Sequence, residues 1–147
     1  MVPPKSGLFW KVLNSSTKGH VAIFRLSGGR VGGTAYGAPI LLLHYRGAKS
    51  GKERVAPLLY MPDGERMVIV ASKGGYTKNP GWYHNLKAHP ETQVELPKEG
   101  RVAVRARVAT AEERRELWPR VVDLYAGYAE YQDSTSREIP VVVLERR

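Results

Sequence analysis

Six short apolar runs, separated by turn signals, are the feature of this sequence that most restricts its fold. Each run is rich in Val, Leu or Ile, and most are bounded by Gly, Pro or Asp, a pattern that predicts β-strands. The runs cover residues 40–46, 53–61, 66–72, 92–96, 101–109 and 139–145. The first three follow one another directly, as do the next two, which favours antiparallel pairing. Because strands and helices do not alternate one to one, the order argues against a doubly wound fold.

Two segments between these runs carry helix signals. Asn79 is predicted to cap a helix with Pro80 in its first turn, and Pro90 is predicted to end that helix near Ala88. Thr110 opens the second segment, where a Glu three residues later completes a capping box. The apolar face of this helix is predicted to hold Leu117, Val121 and Leu124. Strands and helices together predict an α+β fold with a closed or partly open antiparallel barrel.

The chain length of 147 residues predicts a single domain, with residues 1–35 as an N-terminal helix and loop extension. The sequence has no Cys, which excludes disulfides, a thiolate nucleophile and Cys-based metal centres. A bacterial cytoplasmic protein is therefore the expectation. No apolar run approaches the ~18 residues of a transmembrane helix.

The net charge of +9 favours an anionic partner: nucleic acid, a membrane surface or a polyanionic ligand. Nucleic acid is disfavoured because the sequence has neither a recognition helix nor an RNA-binding aromatic motif. The residues that predict an N-terminal amphipathic helix are Phe9, Trp10 and Leu13, with Lys5, Lys11 and Lys18 nearby. This helix either packs on the body of the protein or makes peripheral contact with the inner face of a membrane.

The stretch GAKSGKERVAPL, residues 47–58, concentrates positive charge in a predicted hairpin turn. Gly47 and Gly51 allow the backbone to bend and to approach a ligand closely. Backbone amides and Ser50 supply hydrogen-bond donors. The charge comes from Arg46, Lys49, Lys52 and Arg54. Since the spacing of a P-loop is absent, the turn is either another kind of anion-binding site or a solvated hairpin tip.

A second polar segment begins where the third predicted strand ends. Ser72 is followed by Lys73, Gly74 and Gly75, shortly before the predicted helix start. A glycine-rich strand exit beside a helix start can seat a ligand, and an ordinary surface loop is the alternative.

Tyr125, Tyr128 and Tyr131 recur at every third residue, beside Gly127, and are predicted to spread over one side of a helix. Such a stripe is either part of the core or the wall of a pocket for a flat substrate.

The four histidines show no metal-ligand spacing with a carboxylate, so no metal site is predicted. No Ser-His-Asp constellation can be argued either, so redox chemistry here would depend on a bound organic cofactor.

Three ordered stretches resemble the deazaflavin-dependent nitroreductase family. They are GAKSGKERVAPLLYMPDG, VASKGGYTKNPGWYHNLKAHP and YAEYQDSTSREIPVVVLE, and the resemblance covers residues 35–147. It implies a split β-barrel of mainly antiparallel strands with flanking helices, related to the flavin-binding split barrels. It also implies binding of coenzyme F420, a deazaflavin with a phospholactyl oligoglutamate tail. The activity implied is hydride transfer from the reduced coenzyme to a quinone, a nitroaromatic or a similar electron-poor acceptor.

The resemblance also implies roles for particular residues. The positions that match those holding the coenzyme tail are Lys49, Ser50 and Arg54, with Lys52 assisting from the rim. The positions that match those around the deazaflavin and its groove are Ser72, Lys73, Gly74, Pro57, Trp82 and Asn85. The positions that match the tyrosines closing over the acceptor side are Tyr125, Tyr128 and Tyr131. Ser72 or a tyrosine hydroxyl would offset negative charge that develops on the acceptor.

One departure from the family pattern concerns the acceptor. Nitroimidazole-reducing members have a tyrosine directly after the PL of the first stretch, and this chain has Leu59 there, with tyrosine only at Tyr60. This departure leaves open whether nitroimidazoles are reduced, whereas coenzyme binding is expected.

Two rival functions remain open at this point. The first is a non-catalytic carrier or storage protein for coenzyme F420, and the second is a split barrel that binds FMN or haem. The basic turn favours the longer anion, because FMN has a phosphate but no oligoglutamate tail. Split barrels often pair, so a monomer and a homodimer are both compatible with the sequence.

Overall fold

The computed structural model describes residues 21–22, 24–27, 34–35, 37–47, 50–75 and 78–147. The predicted helix around Phe9, Trp10 and Leu13 lies outside these residues, and so does Lys49. Residues 21–22 and 24–27 are helical and lie within the predicted N-terminal helix and loop extension, later in the chain than the helix predicted around Phe9. None of the described helices has the length and apolar character needed to span a bilayer.

The described chain contains one sheet of eight antiparallel strands. They are β1 (Thr34–Ala35), β2 (Ala38–Arg46), β3 (Glu53–Leu59), β4 (Met61–Asp63), β5 (Arg66–Val70), β6 (Glu91–Leu96), β7 (Gly100–Val108) and β8 (Val141–Arg146). Their order is β1-β2-β6-β7-β8-β5-β4, and β3 pairs with β2 off this path. Because β3 also lies close to β5, the sheet curls into a half-barrel. This confirms the predicted antiparallel, partly open barrel.

All six predicted strands are present, and one of them is divided. The run predicted at residues 53–61 is split at Tyr60, whose backbone N–H donates to Pro39 O at 3.0 Å. Beyond that point the chain leaves β2 and pairs with β5, where Met61 lies opposite Val68. A single apolar run therefore contributes to two strands, one paired with β2 and the other with β5. The periodicity of the run alone does not reveal this division.

Three further α-helices connect strands of the sheet. The helix α1 (Gly81–Ala88) lies between β5 and β6, and α2 (Ala111–Leu124) and α3 (Gly127–Asp133) lie between β7 and β8. The helix α1 ends at Ala88 as predicted, but Asn79 does not cap it. Pro80 is the N-cap residue and makes no side-chain cap bond, whereas Asn79 Oδ1 accepts a hydrogen bond from Arg137 at 2.7 Å. The prediction for Asn79 was wrong because a distant guanidinium is the partner of its side chain.

The sheet buries apolar side chains on both faces. One cluster packs under α1 and includes Leu41, Leu43, Ile69, Leu86, Val104 and Leu144. The other packs under α2 and α3 and includes Val68, Val70, Leu117, Val121, Tyr128 and Val143. We call them the α1-side cluster and the α2-side cluster. Alternate residues of β5 and β8 enter opposite clusters, as the twofold period of a strand requires.

The predicted capping box at the start of α2 is confirmed. Thr110 Oγ1 accepts the Glu113 N–H at 3.1 Å, and Glu113 Oε1 accepts the Thr110 N–H at 3.0 Å. Arg107 on β7 donates to both carboxylate oxygens of Glu113, at 2.6 and 2.8 Å. These donors, Arg107 first, lower the pKa of Glu113 from 4.5 to about 2.

Replacing Glu113 by Gln is expected to lower the free energy of unfolding by about 1 kcal/mol at neutral pH. A carboxyl with a lowered pKa stabilises the fold above its unfolded-state pKa, and that contribution is lost as pH falls from 4.5 toward about 2. The difference between wild type and variant should therefore shrink in urea titrations run from about pH 7 to about pH 3. Glu112→Gln, one residue earlier, is the matched control, and an equal loss in both variants would contradict the capping role.

Candidate functional site

The basic turn between β2 and β3 is tightly closed. Gly47 N–H donates to Lys52 O and Gly51 N–H donates to Gly47 O, each at 2.9 Å. Lys52 N–H donates to Ser50 Oγ at 3.2 Å. Gly51 has φ +66°, a conformation that favours glycine. The predicted tight turn is confirmed, and its hydrogen bonds fix the backbone on both sides of Ser50.

Gly47 allows two of the predicted ligand-binding side chains to come together. A Cβ atom at this position would lie 2.8 Å from Ser50 Oγ and 2.9 Å from Arg54 Nε, too close for either. The hydroxyl and the guanidinium therefore converge above the glycine backbone. Such a convergence of donors on a side-chain-free surface is suited to a phosphate or carboxylate.

The cations of the turn differ from most other arginines in their partners. In the described part of the chain, eight arginines elsewhere have acidic partners: Arg25, Arg66, Arg105, Arg107, Arg114, Arg120, Arg146 and Arg147. Within that same part, Arg46, Lys52 and Arg54 are at ion-pairing distance from no carboxylate. Positive charge is thus left uncompensated at this turn, which favours an anionic ligand.

The second predicted segment is a short 3-10 turn, Lys73–Gly75, directly after β5. Ser72 is buried, and its carbonyl oxygen accepts the Gly75 N–H at 2.9 Å. Lys73 has φ +45°, which is uncommon for a residue with a side chain and occurs often at functional sites. At Gly75, with φ +80°, a Cβ atom would clash with the Ser134 side chain and would lie 2.9 Å from Tyr131 O. The helix α3 therefore packs directly on this turn.

Arg137 organises the same segment, although sequence reasoning did not single it out. Its guanidinium donates to Ala71 O at 3.2 Å, to Ser72 O at 2.7 Å and to Asn79 Oδ1 at 2.7 Å. It therefore joins the end of β5 to Asn79, which lies just before the N-cap residue of α1. The only sequence signal was its position in the third stretch that carries the family resemblance.

Electrostatics at this segment also favour an anion. Burial is the main cause that lowers the pKa of Lys73, and the like charges of Lys78 and Arg137 lower it further. Negative charge placed here would relieve that repulsion. Two positively charged regions thus exist, one at the β2–β3 turn and one at the end of β5.

The three tyrosines do not share one helix, contrary to the prediction. Tyr125 ends α2 in an extended conformation, with φ −146° and ψ 103°, and Tyr128 and Tyr131 lie on α3. The break lies at Tyr125 and Ala126, between α2 and α3. The Tyr125 ring packs so closely against Gly127 that a Cβ atom there would clash with it. The regular spacing therefore crosses a break between two helices.

Burial separates these tyrosines into two kinds. Tyr128 is 5% exposed and belongs to the α2-side cluster, where burial raises the pKa of its phenol. Tyr125 and Tyr131 are half-buried, and their hydroxyl oxygens lie 2.8 Å apart. Leu59 also packs against the α2-side cluster. The structure thus assigns Tyr128 to the core, and the role of Tyr125 and Tyr131 at an acceptor site stays a prediction.

The remaining predicted residues occupy other positions. Trp82 and Asn85 are both 7% exposed on α1, and Asn85 Nδ2 donates to Gly81 O at 3.0 Å within the helix. Trp82 is part of the α1-side cluster, whereas Pro57 is half-buried on β3 opposite Leu42. Their roles beside a cofactor stay predictions. Among the described residues, no group of three His, Cys, Asp or Glu side chains could hold a metal ion.

Comparisons with known proteins agree on one family. The family model described as F420H(2)-dependent quinone reductase matches residues 16–146. The F420H(2)-dependent quinone reductase Rv1261c of Mycobacterium tuberculosis is 46% identical over 131 residues, which cover 87% of this chain and 88% of that protein.

Solved structures add two relatives. One, described as the structure of an F420-H2 dependent reductase (FDR-A), is 42% identical, with a TM-score of 0.66, and the match covers 73% of this chain and 94% of that one. The other is described as a domain-swapped dimer and is 38% identical, with a TM-score of 0.69, covering 87% of this chain and 96% of that one. Both similarities extend over nearly the whole of the solved chains.

Proposed function

The chain belongs to the F420H(2)-dependent quinone reductase family, and from that membership we propose that its two positively charged regions hold the two ends of one coenzyme F420. It is an F420-dependent oxidoreductase, and a quinone is the acceptor that fits this family. One observation supports the placement of the coenzyme above all. Arg46, Lys52 and Arg54 have no acidic partner among the described residues, although eight other arginines do.

The β2–β3 turn is the proposed site for the coenzyme tail. Ser50 and Arg54 converge above Gly47, and Lys52, which is exposed, is proposed to assist from the rim. Lys49, in the same turn, matches the family positions that hold the tail. A guanidinium can bind a phosphate or carboxylate through two parallel hydrogen bonds, so Arg54 is the strongest single contact that the turn offers.

The segment after β5 is the proposed site for the ring. Ser72, Lys73 and Gly74 would lie beside the deazaflavin, in a backbone conformation maintained by Arg137. When bound and reduced, the coenzyme supplies a hydride in one two-electron step. The protein would contribute orientation and exclusion of water, with Ser72 placed to offset negative charge on the acceptor.

The acceptor is proposed to stack beside Tyr125 and Tyr131. Their hydroxyl oxygens lie 2.8 Å apart, which gives this wall a polar edge. A quinone is the acceptor that fits the family, and nitroaromatic acceptors are proposed beside it.

Three further properties are proposed on indirect grounds. Residues 1–147 form one coenzyme-binding domain, and the chain forms a homodimer, since a relative of known structure is a domain-swapped dimer. Light scattering during gel filtration measures the dimer directly.

The stretch with Phe9, Trp10 and Leu13 is proposed to touch anionic membranes from the cytoplasmic side. Equal pelleting with anionic vesicles of the full chain and of a chain lacking residues 1–18 would exclude that contact.

Fluorescence titration with oxidised coenzyme F420, followed by mixing of the reduced form with menadione, tests the central proposal. Saturable binding and oxidation of the coenzyme on mixing are expected. Binding without oxidation by any quinone would indicate a carrier protein. A purified protein that is yellow and shows flavin fluorescence would indicate FMN, and failure to bind coenzyme F420 would overturn the proposal.

A further inference from the structure

Glu53 is the one acidic residue in the basic turn, and its carboxylate points away from the anion-binding side. It makes an ion pair with His44 Nδ1. Arg54 lies opposite Tyr45 in the β2–β3 pairing, and Tyr45 packs against the α1-side cluster. Because side chains alternate along a strand, Glu53 and Arg54 lie on opposite faces of this hairpin.

His44 is held in place from its other side. Its Nε2 atom lies 2.8 Å from Glu95 Oε2, and the imidazole is only 4% exposed. Glu95 in turn accepts two hydrogen bonds from Arg25, at 3.2 Å from Nε and 2.8 Å from Nη2. A continuous chain of ion pairs thus runs from Arg25 through Glu95 and His44 to Glu53.

Both ring nitrogens of His44 face carboxylates: Nδ1 faces Glu53 and Nε2 faces Glu95. The imidazole therefore lies between two acidic side chains, and its contact with Glu53 holds that carboxylate on the His44 face of the hairpin. Neither of these contacts, nor the pairing of Arg25 with Glu95, uses Lys52 or Arg54 of the turn.

We propose that His44 is a positioning residue for the coenzyme tail, which holds Glu53 on the far face of the hairpin so that Lys52 and Arg54 stay available to an anion. This inference rests on the proposed tail-binding role of the turn. Without His44, the Glu53 carboxylate would be adjacent in the chain to Lys52 and Arg54 and opposite Arg46 in the strand pairing. It would then compete with the tail for the cations that bind it.

The predicted effect on binding is moderate. An exposed ion pair has a coupling energy that corresponds to about a two- to fivefold change in an equilibrium constant. His44→Phe should therefore weaken binding of coenzyme F420 by about two- to fivefold. The dependence of affinity on salt should also become shallower, because the turn would present less net positive charge.

The deciding experiment is a double-mutant cycle that compares the wild type, His44→Phe, Glu53→Gln and the double variant. Each protein is titrated with coenzyme F420 and checked by thermal melting. Glu53→Gln should bind within about twofold of wild type, since its carboxylate is already engaged elsewhere. The double variant should recover wild-type affinity, because the competing charge is gone. A role of His44 in stability alone predicts no such recovery.

Two outcomes would overturn the inference. One is unchanged affinity in His44→Phe, and the other is equally weak binding by His44→Phe and the double variant. If His44→Phe does not fold, the same cycle with His44→Gln retains a polar side chain and the same prediction of rescue. Failure of the wild-type protein to bind the coenzyme is a separate result, which would remove the proposed function itself.

Discussion

Replacing Tyr128 by alanine is expected to lower the free energy of unfolding by about 3–5 kcal/mol. The side chain is 5% exposed and packs in the α2-side cluster. Its ring also meets the Tyr125 ring edge to face, with centroids 5.0 Å apart. Truncation would leave a large cavity between α3 and the sheet, which urea unfolding of the variant would report as a loss of stability.

Tyr131→Ala is the informative comparison. This side chain is half-buried, so the loss of stability should be smaller, at about 1–2 kcal/mol. Coenzyme binding should survive, because the tail is proposed to bind at the β2–β3 turn. Turnover with menadione should fall by up to ~100-fold if the acceptor is misplaced by ~1 Å.

Tyr128→Phe is the control for packing, since it keeps the ring. Near-wild-type stability and turnover are expected for it. If Tyr128→Ala melted like wild type, the core assignment would be wrong. If Tyr131→Ala kept full turnover, the tyrosines would have no role at the acceptor, and Ser72 would be the remaining polar candidate there.

Arg54→Ala is expected to weaken binding of coenzyme F420 by roughly 10- to 100-fold. A charge-assisted hydrogen bond contributes ~1.5–3 kcal/mol, and each ~1.4 kcal/mol corresponds to a factor of ten. Arg54 is exposed and has no acidic partner among the described residues, so its removal breaks no ion pair of the protein. The melting temperature should therefore change little, and fluorescence titration measures the loss of affinity.

Arg115→Ala is the matched control for Arg54→Ala. Arg115 is an exposed residue of α2, so the variant loses the same charge at a different place. A similar loss of affinity in both variants would point to the general field of a +9 protein rather than to a contact in the turn. Added salt should weaken wild-type binding more steeply than binding by Arg54→Ala.

Local patterns were sufficient for most elements of the fold. Six of the eight strands follow from the six apolar runs between turn residues, and the start of α2 follows from Thr110 and Glu113, three residues apart. The basic turn could be recognised for the same reason, because its glycines and cations lie within a few residues. In each case the interacting groups are close in the chain, so their chemistry can be read from spacing.

Tertiary contacts decided what the same patterns left open. The tyrosine spacing looked like one helical stripe, yet the chain breaks between α2 and α3, and Tyr128 is buried whereas Tyr125 and Tyr131 are half-buried. Asn79 had the chemistry of a helix cap, but a guanidinium 58 residues away is its partner. A regular spacing does not reveal which side of an element other elements will cover.

The sequence by itself thus determined the strands, the α2 cap, the charged turn and the family resemblance. Only the tertiary structure decided where Glu53 points, since that depends on His44 and on Glu95, which is 51 residues from His44. It likewise decided that Arg137 supports Ser72 from 65 residues away. The physical reason is that a side chain's charge is fixed by its identity, whereas the charge it faces is fixed only when distant strands are brought together.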